Sequence, residues 1–262
     1  MRAYTIELLV DSKTGSRQRS IEVGSVSGAR FSSRDTQGMR RELDEMIARD
    51  GHYTAATRTN PSIFRIGRYL LTQDDEFEVQ GTLTGCEAEV VAIRAGNDIL
   101  ISVGSDQCDR ELDDLFPDKP KQMCPHPIAS VAWPYDEVKD HWDQLRISSE
   151  VEVQGHTVAI QDTTIDTQVD LEYLLGMDTV KSLPEPMVLY CGAAPFLTES
   201  ISEAIQKHDL PAATEHGTGE RTFLRLHDPV LGRTIEHQFR AVPLGDELHE
   251  RSLIAPDSRP NR

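Results

Sequence analysis

From about residue 68 onward the chain is cut by turn residues into short apolar stretches, and these do not alternate regularly with helical ones. Candidate strands are 68–72, 76–83, 86–94, 98–103, 129–133, 144–154, 157–163, 186–191, 222–227 and 234–242; short helices fit 109–115, 136–141, 170–176 and 198–206. A Rossmann-type sheet needs a helix after nearly every strand. This order therefore predicts an α+β fold, a strand-rich mixed β-roll or sandwich. Ahead of it, residues 2–10 read as a strand and 19–31 as a strand or hairpin. Residues 35–50 read as a helix with Met39, Leu43, Met46 and Ile47 on one face and Gly51 as its stop. The expected division is an N-terminal strand–helix region (1–67), a β-roll carrying the chemistry (68–248) and a polar tail (249–262). The N-terminal helix could close over a site as a lid, or simply pack its apolar stripe on the sheet.

Charge excludes several function classes. The chain carries 44 acidic against 27 basic residues, a net charge of -17, which disfavours nucleic acid and anionic membranes as partners. Lysine occurs only at 13, 119, 121, 139, 181 and 207. An acid-rich, lysine-poor surface fits a halophilic, high-salt cytoplasm, and equally an ordinary acidic protein. With so many carboxylates, Glu-x-Glu pairs also arise by chance. Cysteines 86, 108, 124 and 191 form no Cys-x-x-Cys pair, so reduced cytoplasmic thiols are expected rather than a zinc knuckle. No stretch matches a signal peptide or the roughly 20 apolar residues of a membrane span.

The chemistry-bearing segment is Cys86-Glu87-Ala88-Glu89-Val90-Val91-Ala92-Ile93. Alternate residues of a strand face one side, so Glu87 and Glu89 point together and their face continues into Val91 and Ile93. Two carboxylates heading into a core repel each other and resist desolvation; a divalent cation relieves both. All-oxygen ligation suits Mg²⁺, Mn²⁺ or Ca²⁺ rather than zinc. An exposed strand with two solvated acids fits the same spacing. A third acid, Asp106, follows the apolar run 99–103, and Lys121 lies beyond it. A lysine beside a metal can stabilise an oxyanion; a solvated loop cation is its other reading.

The order Glu87-Ala88-Glu89, then Asp106 with Asp109-Arg110-Glu111, then Lys121-Gln122 with Cys124-Pro125, resembles the fumarylacetoacetate hydrolase superfamily. So do Gly155 with Gln161, and Gly192 with Pro195 in the late strand 187–195. The nearest likeness is to a branch known as domain of unknown function 2848, through these motifs and the late Leu226-His227-Asp228-Pro229 with Gly232-Arg233. The resemblance spans roughly residues 35–243. It implies a β-roll of that type and a site of Glu87, Glu89 and Asp106 holding Mg²⁺ or Mn²⁺, with Lys121 beside the substrate. It also implies a homodimer and a hydrolase or lyase acting on a small 2-oxo acid or acylpyruvate-like carboxylate through a stabilised enolate. An isomerase or tautomerase, or a non-catalytic binder of a small dicarboxylate, are the alternatives.

Hydrolytic members of that superfamily carry a His/Glu pair on an N-terminal lid. Here His52 is the only histidine before residue 126, and position 55 is alanine. His52, oriented by Glu42 or Glu45, is a candidate base, and His126 a candidate pocket residue. Arg110 and Gln122 are candidate substrate binders, although Arg110 could instead pair with Asp109 or Asp113. Cys108 and Cys124 read as packing residues, and His227-Asp228 as a capped turn.

Overall fold

The computed structural model describes residues 4–48, 60–113, 116 and 118–244. In chain order its strands are β1 (Thr5–Ser12), β2 (Gly15–Glu22), β3 (Ser25–Arg30), β4 (Ser62–Ile66), β5 (Leu71–Thr72), β6 (Glu76–Gln80), β7 (Thr84–Gly85), β8 (Ala88–Ala95) and β9 (Asp98–Ser105). They continue with β10 (Cys108–Asp109), β11 (His126–Pro127), β12 (Val131–Pro134), β13 (Arg146–Val153), β14 (His156–Thr164), β15 (Met187–Ala193), β16 (Arg221–Asp228) and β17 (Arg233–Leu244). The α-helices are α1 (Thr36–Ala48), α2 (Arg110–Asp113), α3 (Leu171–Gly176), α4 (Asp178–Lys181) and α5 (Thr198–His208).

Two large sheets organise the molecule. The first runs β2-β1-β12-β9-β8-β15-β3-β4 and the second β14-β13-β16-β17-β6. At the centre of the first, β8 and β15 read as near-continuous apolar runs because both of their faces are buried. One face of this sheet, through Val90, Ala92, Ile101 and Leu189, packs against Phe77, Ile147, Leu224 and Phe239 of the second sheet. The opposite face, through Val91, Ile93, Val188 and Tyr190, meets Ile6, Leu8, Val10 and Phe64 of the same sheet. A sheet whose own strands enclose a core is a roll, and this one is strand-rich α+β, as the residue pattern predicts.

Three sequence expectations change. The strands of residues 5–66 do not lie apart: β1 pairs with β12 and β3 with β15, so these strands share one sheet with the rest across the 67/68 boundary. Residues 68–72 begin as a 3₁₀ turn, Arg68–Leu70, and 136–141 falls within two more, Tyr135–Glu137 and Lys139–Gln144. Finally, α1 does not lay its stripe on the sheet: Leu43 alone is buried, while Met39 and Met46 are half-buried and line a cavity.

Candidate metal centre

The site forms where β8 and β9 run out together. They pair antiparallel with Ala88 opposite Ser105 and Glu89 opposite Gly104. The ladder continues one step further, with Asp106 N–H donating to the Glu87 carbonyl at 3.0 Å and Glu87 N–H to Ser105 Oγ at 3.1 Å. Asp106 is thereby held beside the two glutamates although it lies 17 residues beyond the nearer one. The expected face holds: Glu89 is 1 % exposed and its side continues into buried Val91 and Ile93. Glu87 sits just ahead of the strand rather than in it.

Backbone irregularity completes the arrangement. The pairing of β15 with β8 slips between Tyr190 and Ala193, a bulge that frees the Gly192 N–H from the ladder. That group donates to Glu89 Oε2 at 2.7 Å. Only glycine serves at 192: its φ is +107°, and a Cβ there would lie 1.6 Å from Ser32 Oγ. Between the two glutamates, the Ala88 N–H donates to Gln161 Oε1 at 2.8 Å, while Gln161 Nε2 donates to the Ala194 carbonyl at 2.6 Å. Gln161 therefore joins the second sheet to the acidic strand.

One carboxylate oxygen each from Glu87, Glu89 and Asp106 lies within 4.8 Å of the others, a span that one cation bridges with metal–oxygen distances of about 2.0–2.6 Å. Around them, Lys121 Nζ donates to Glu87 Oε2 at 2.6 Å and stands 3.0 Å from Asp106 Oδ2; Arg110 donates to Glu87 Oε1 at 2.6 Å. Burial works against charge on Asp106, Lys121 and Glu89, and their partners decide the outcome. For Asp106, burial pushes its pKa upward, but Lys121 and His126 overcome it and hold the carboxyl well below the usual carboxylate range. For Lys121, desolvation is outweighed by Asp106, Cys108 and Glu87, which keep the ammonium charged far above its ordinary range. Glu89 is the exception. Burial, then repulsion from Asp106 and Glu87, raises it well above a normal glutamate, and Lys121 and the Gly192 N–H offset only some of that.

Glu87, Glu89 and Asp106 fit a hard divalent cation: three oxygen donors converge, and the charged form of the most buried one is not balanced by its neighbours. Glu87, Cys108 and Asp113 are also close enough to share an ion. A thiolate is a soft donor, however, and suits zinc or copper rather than the hard cations that an all-oxygen set selects.

The remaining candidates divide. Arg110 pairs with Glu87 and, at 3.4 Å, with Asp113. Asp109 does not pair with it but accepts the Leu112 N–H at 3.2 Å. His126 does not line the pocket as expected: it is fully buried behind the acids, its Nδ1 3.0 Å from Asp106 Oδ1 and its Nε2 2.6 Å from the Lys121 carbonyl. Gln122 is also displaced. Its amide donates to the Arg65 carbonyl at 2.7 Å and accepts the Gly67 N–H at 3.0 Å, an occupation that ties two loops together. His52 lies outside the described residues. Cys108 and Cys124 are buried, the latter with its thiol pushed up to about 12, chiefly by desolvation. Gly192 and Ser105 hold the acids in place; Gly192 shows in the sequence only through the resemblance of 187–195, and Ser105 only as the end of an apolar run.

A cavity of about 730 Å³ opens onto the three acids, with Arg30, Arg110, Met39 and Phe196 among its walls. Among the described residues that line it, none is a histidine.

Fold and family now follow. The sequence profile of the family described as protein of unknown function DUF2848 matches residues 29–239, and the chain belongs to that family. Its fold is of the fumarylacetoacetate hydrolase type. A 2-keto-3-deoxyarabinonate dehydratase superposes with a TM-score of 0.60 at 14% identity, covering 87% of this chain and 78% of the other. A 2-hydroxyhepta-2,4-diene-1,7-dioate isomerase from Mycobacterium marinum gives 0.55 at 13%, covering 92% and 99%. A provisionally assigned fumarylacetoacetate hydrolase family protein from Yersinia pestis CO92 gives 0.54 at 13%, covering 89% and 99%. No curated protein matches the chain. Among the described residues, no helix is long and apolar enough to cross a membrane.

Proposed function

We propose that this protein is a divalent-metal-dependent enzyme that acts on a small 2-oxo acid or 1,3-dicarbonyl acid through an enolate. The observation that carries the reading is the buried Glu89 beside Asp106 and Glu87, three carboxylates within reach of one ion. Solved structures of the same fold include proteins named as a dehydratase and an isomerase, whose names concern 2-oxo or enol acids, and this supports the chemical class.

In this reading Glu87, Glu89 and Asp106 hold Mg²⁺ or Mn²⁺, which supplies Lewis-acid stabilisation of a developing enolate when bound. The protein's own groups do the rest. Lys121 places a permanent positive charge beside the acids, in a buried setting where it acts more strongly than in water. Arg110 fixes Glu87 from the opposite side and closes that end of the cavity over Phe196, 5.7 Å from its guanidinium. His126 holds Asp106 and the Lys121 segment in one register.

The test is a screen of oxaloacetate and acylpyruvates with and without Mn²⁺, followed by the ultraviolet absorbance of the enol. Turnover that requires Mn²⁺ and disappears in a folded Glu89→Ala variant supports the proposal. Turnover indifferent to both Mn²⁺ and Glu89 overturns it.

A further inference from the structure

The walls of the cavity differ in a way that bears on what fits there. Among the described residues, each arginine that lines the cavity is paired with an acid. Arg30 donates to Asp113 at 2.7 Å, Arg34 to Asp143 and Asp170 at 2.7 and 2.6 Å, and Arg110 to Glu87 at 2.6 Å. A second carboxylate on the ligand would have to draw a guanidinium away from its partner and leave that acid uncompensated. The α1 side also presents Asp35 to the cavity, and like charges repel there. The same side offers apolar surface: Met39 and Met46, two turns apart on α1, with Phe31 beyond the end of β3 and Phe196 ahead of α5. Methionine is flexible and polarisable, and adapts to apolar groups of varied shape.

We propose that the site selects a 2-oxo acid bearing one carboxylate and an apolar substituent, with the carboxylate end at the acidic cluster and the substituent against Met39, Met46, Phe31 and Phe196. This rests on the metal-site reading above and goes further, because it sets the chain apart from enzymes whose ligands carry an acid at both ends. Each methylene seated on that wall tightens binding by about fourfold, from the transfer free energy of a buried CH₂.

The experiment is calorimetric titration of the intact, Mn²⁺-saturated protein with 2-oxobutanoate, 2-oxohexanoate and 2-oxoadipate. The last two have six carbons each and differ in ending in methyl or carboxylate. A direct Mn²⁺ titration is run first. The expected results are affinity that rises from 2-oxobutanoate to 2-oxohexanoate, at least tenfold weaker binding of 2-oxoadipate, and a narrowed gap in Met39→Lys, which adds a cation to the wall. If Mn²⁺ binds but 2-oxoadipate binds as well as or better than 2-oxohexanoate, or length has no effect, the selectivity is overturned and the metal site stands. If Mn²⁺ itself does not bind, the underlying reading is overturned and the selectivity with it.

Discussion

Two buried ionic clusters in this molecule use similar residues to opposite ends. In the first, at the close of β16, Asp228 Oδ1 lies 2.9 Å from His141 Nε2 and accepts the N–H groups of Val230 and Leu231, while its Oδ2 accepts from Arg233 at 3.4 Å. Arg233 continues to Glu137 at 2.9 Å and lies over the Trp133 ring at 4.6 Å. Every acid there has a cation. In the second, Glu87, Asp106 and Asp113 are likewise each paired with Lys121, Arg110 or Arg30, and His126 stands 3.0 Å from Asp106. Among the described residues Glu89 makes no ion pair, only the Gly192 N–H bond, and it is the one whose pKa burial and its acidic neighbours raise. A closed network holds a fold together; one left short of positive charge at a cavity floor is built to receive it from outside.

The sharpest way to break this contrast is to remove one acid from each cluster. Asp228→Ala strips the turn of its cap at the Val230 and Leu231 N–H groups and leaves His141 without its partner, although Arg233 keeps Glu137. It should cost about 1–3 kcal/mol in urea unfolding, the scale of leaving buried donors unmet, while the rise in melting temperature on adding Mn²⁺ is retained. Asp106→Asn should behave the other way. The wild type at a hundredfold excess of Mn²⁺ over Kd gains about 2.7 kcal/mol by mass action, and this variant should lose that gain; a full Mn²⁺ response in Asp106→Asn would erase the distinction.

His126 sharpens the comparison, because it lies behind the ligands rather than among them. His126→Ala should weaken Mn²⁺ about 10–100-fold, the usual effect of losing a group that orients a ligand. His126→Asn, which can still reach Asp106, should recover some of that in a titration. The smallest effect carries an unusual sign. In the metal-free protein Glu89 has a raised pKa, so whatever it adds to stability is present at low pH and lost as pH climbs through the raised value. Glu89→Gln stays neutral. It should therefore be more stable than the metal-free wild type by about 1–2 kcal/mol, the scale of relieving one unmet buried polar demand. The advantage should grow as pH rises above the ordinary glutamate range, and the variant should gain nothing from Mn²⁺.

The strands are legible in the sequence because their apolar pattern is local, and Glu87 with Glu89 because a two-residue period fixes a common side. Asp106 can be placed because it ends the neighbouring strand. Residues whose role depends on pairing at long range are not legible in this way. Gln122 is consumed by Arg65 and Gly67, 57 and 55 residues earlier, and His126 turns inward to a lysine carbonyl; neither partner shows in spacing. The Gly192 N–H becomes a donor to Glu89 through a slip in register that no periodicity displays. The apolar stripe of α1 is visible, but a stripe looks the same whether it covers a sheet or roofs a cavity.

The central claim is tested most directly by titrating the metal-free protein with Mn²⁺ and counting ions bound per chain by electron paramagnetic resonance. One tight ion in the wild type, with a proton released as Glu89 ionises, and none in Glu89→Gln is the expected result. Binding of equal affinity in both proteins, or none in either, would contradict it.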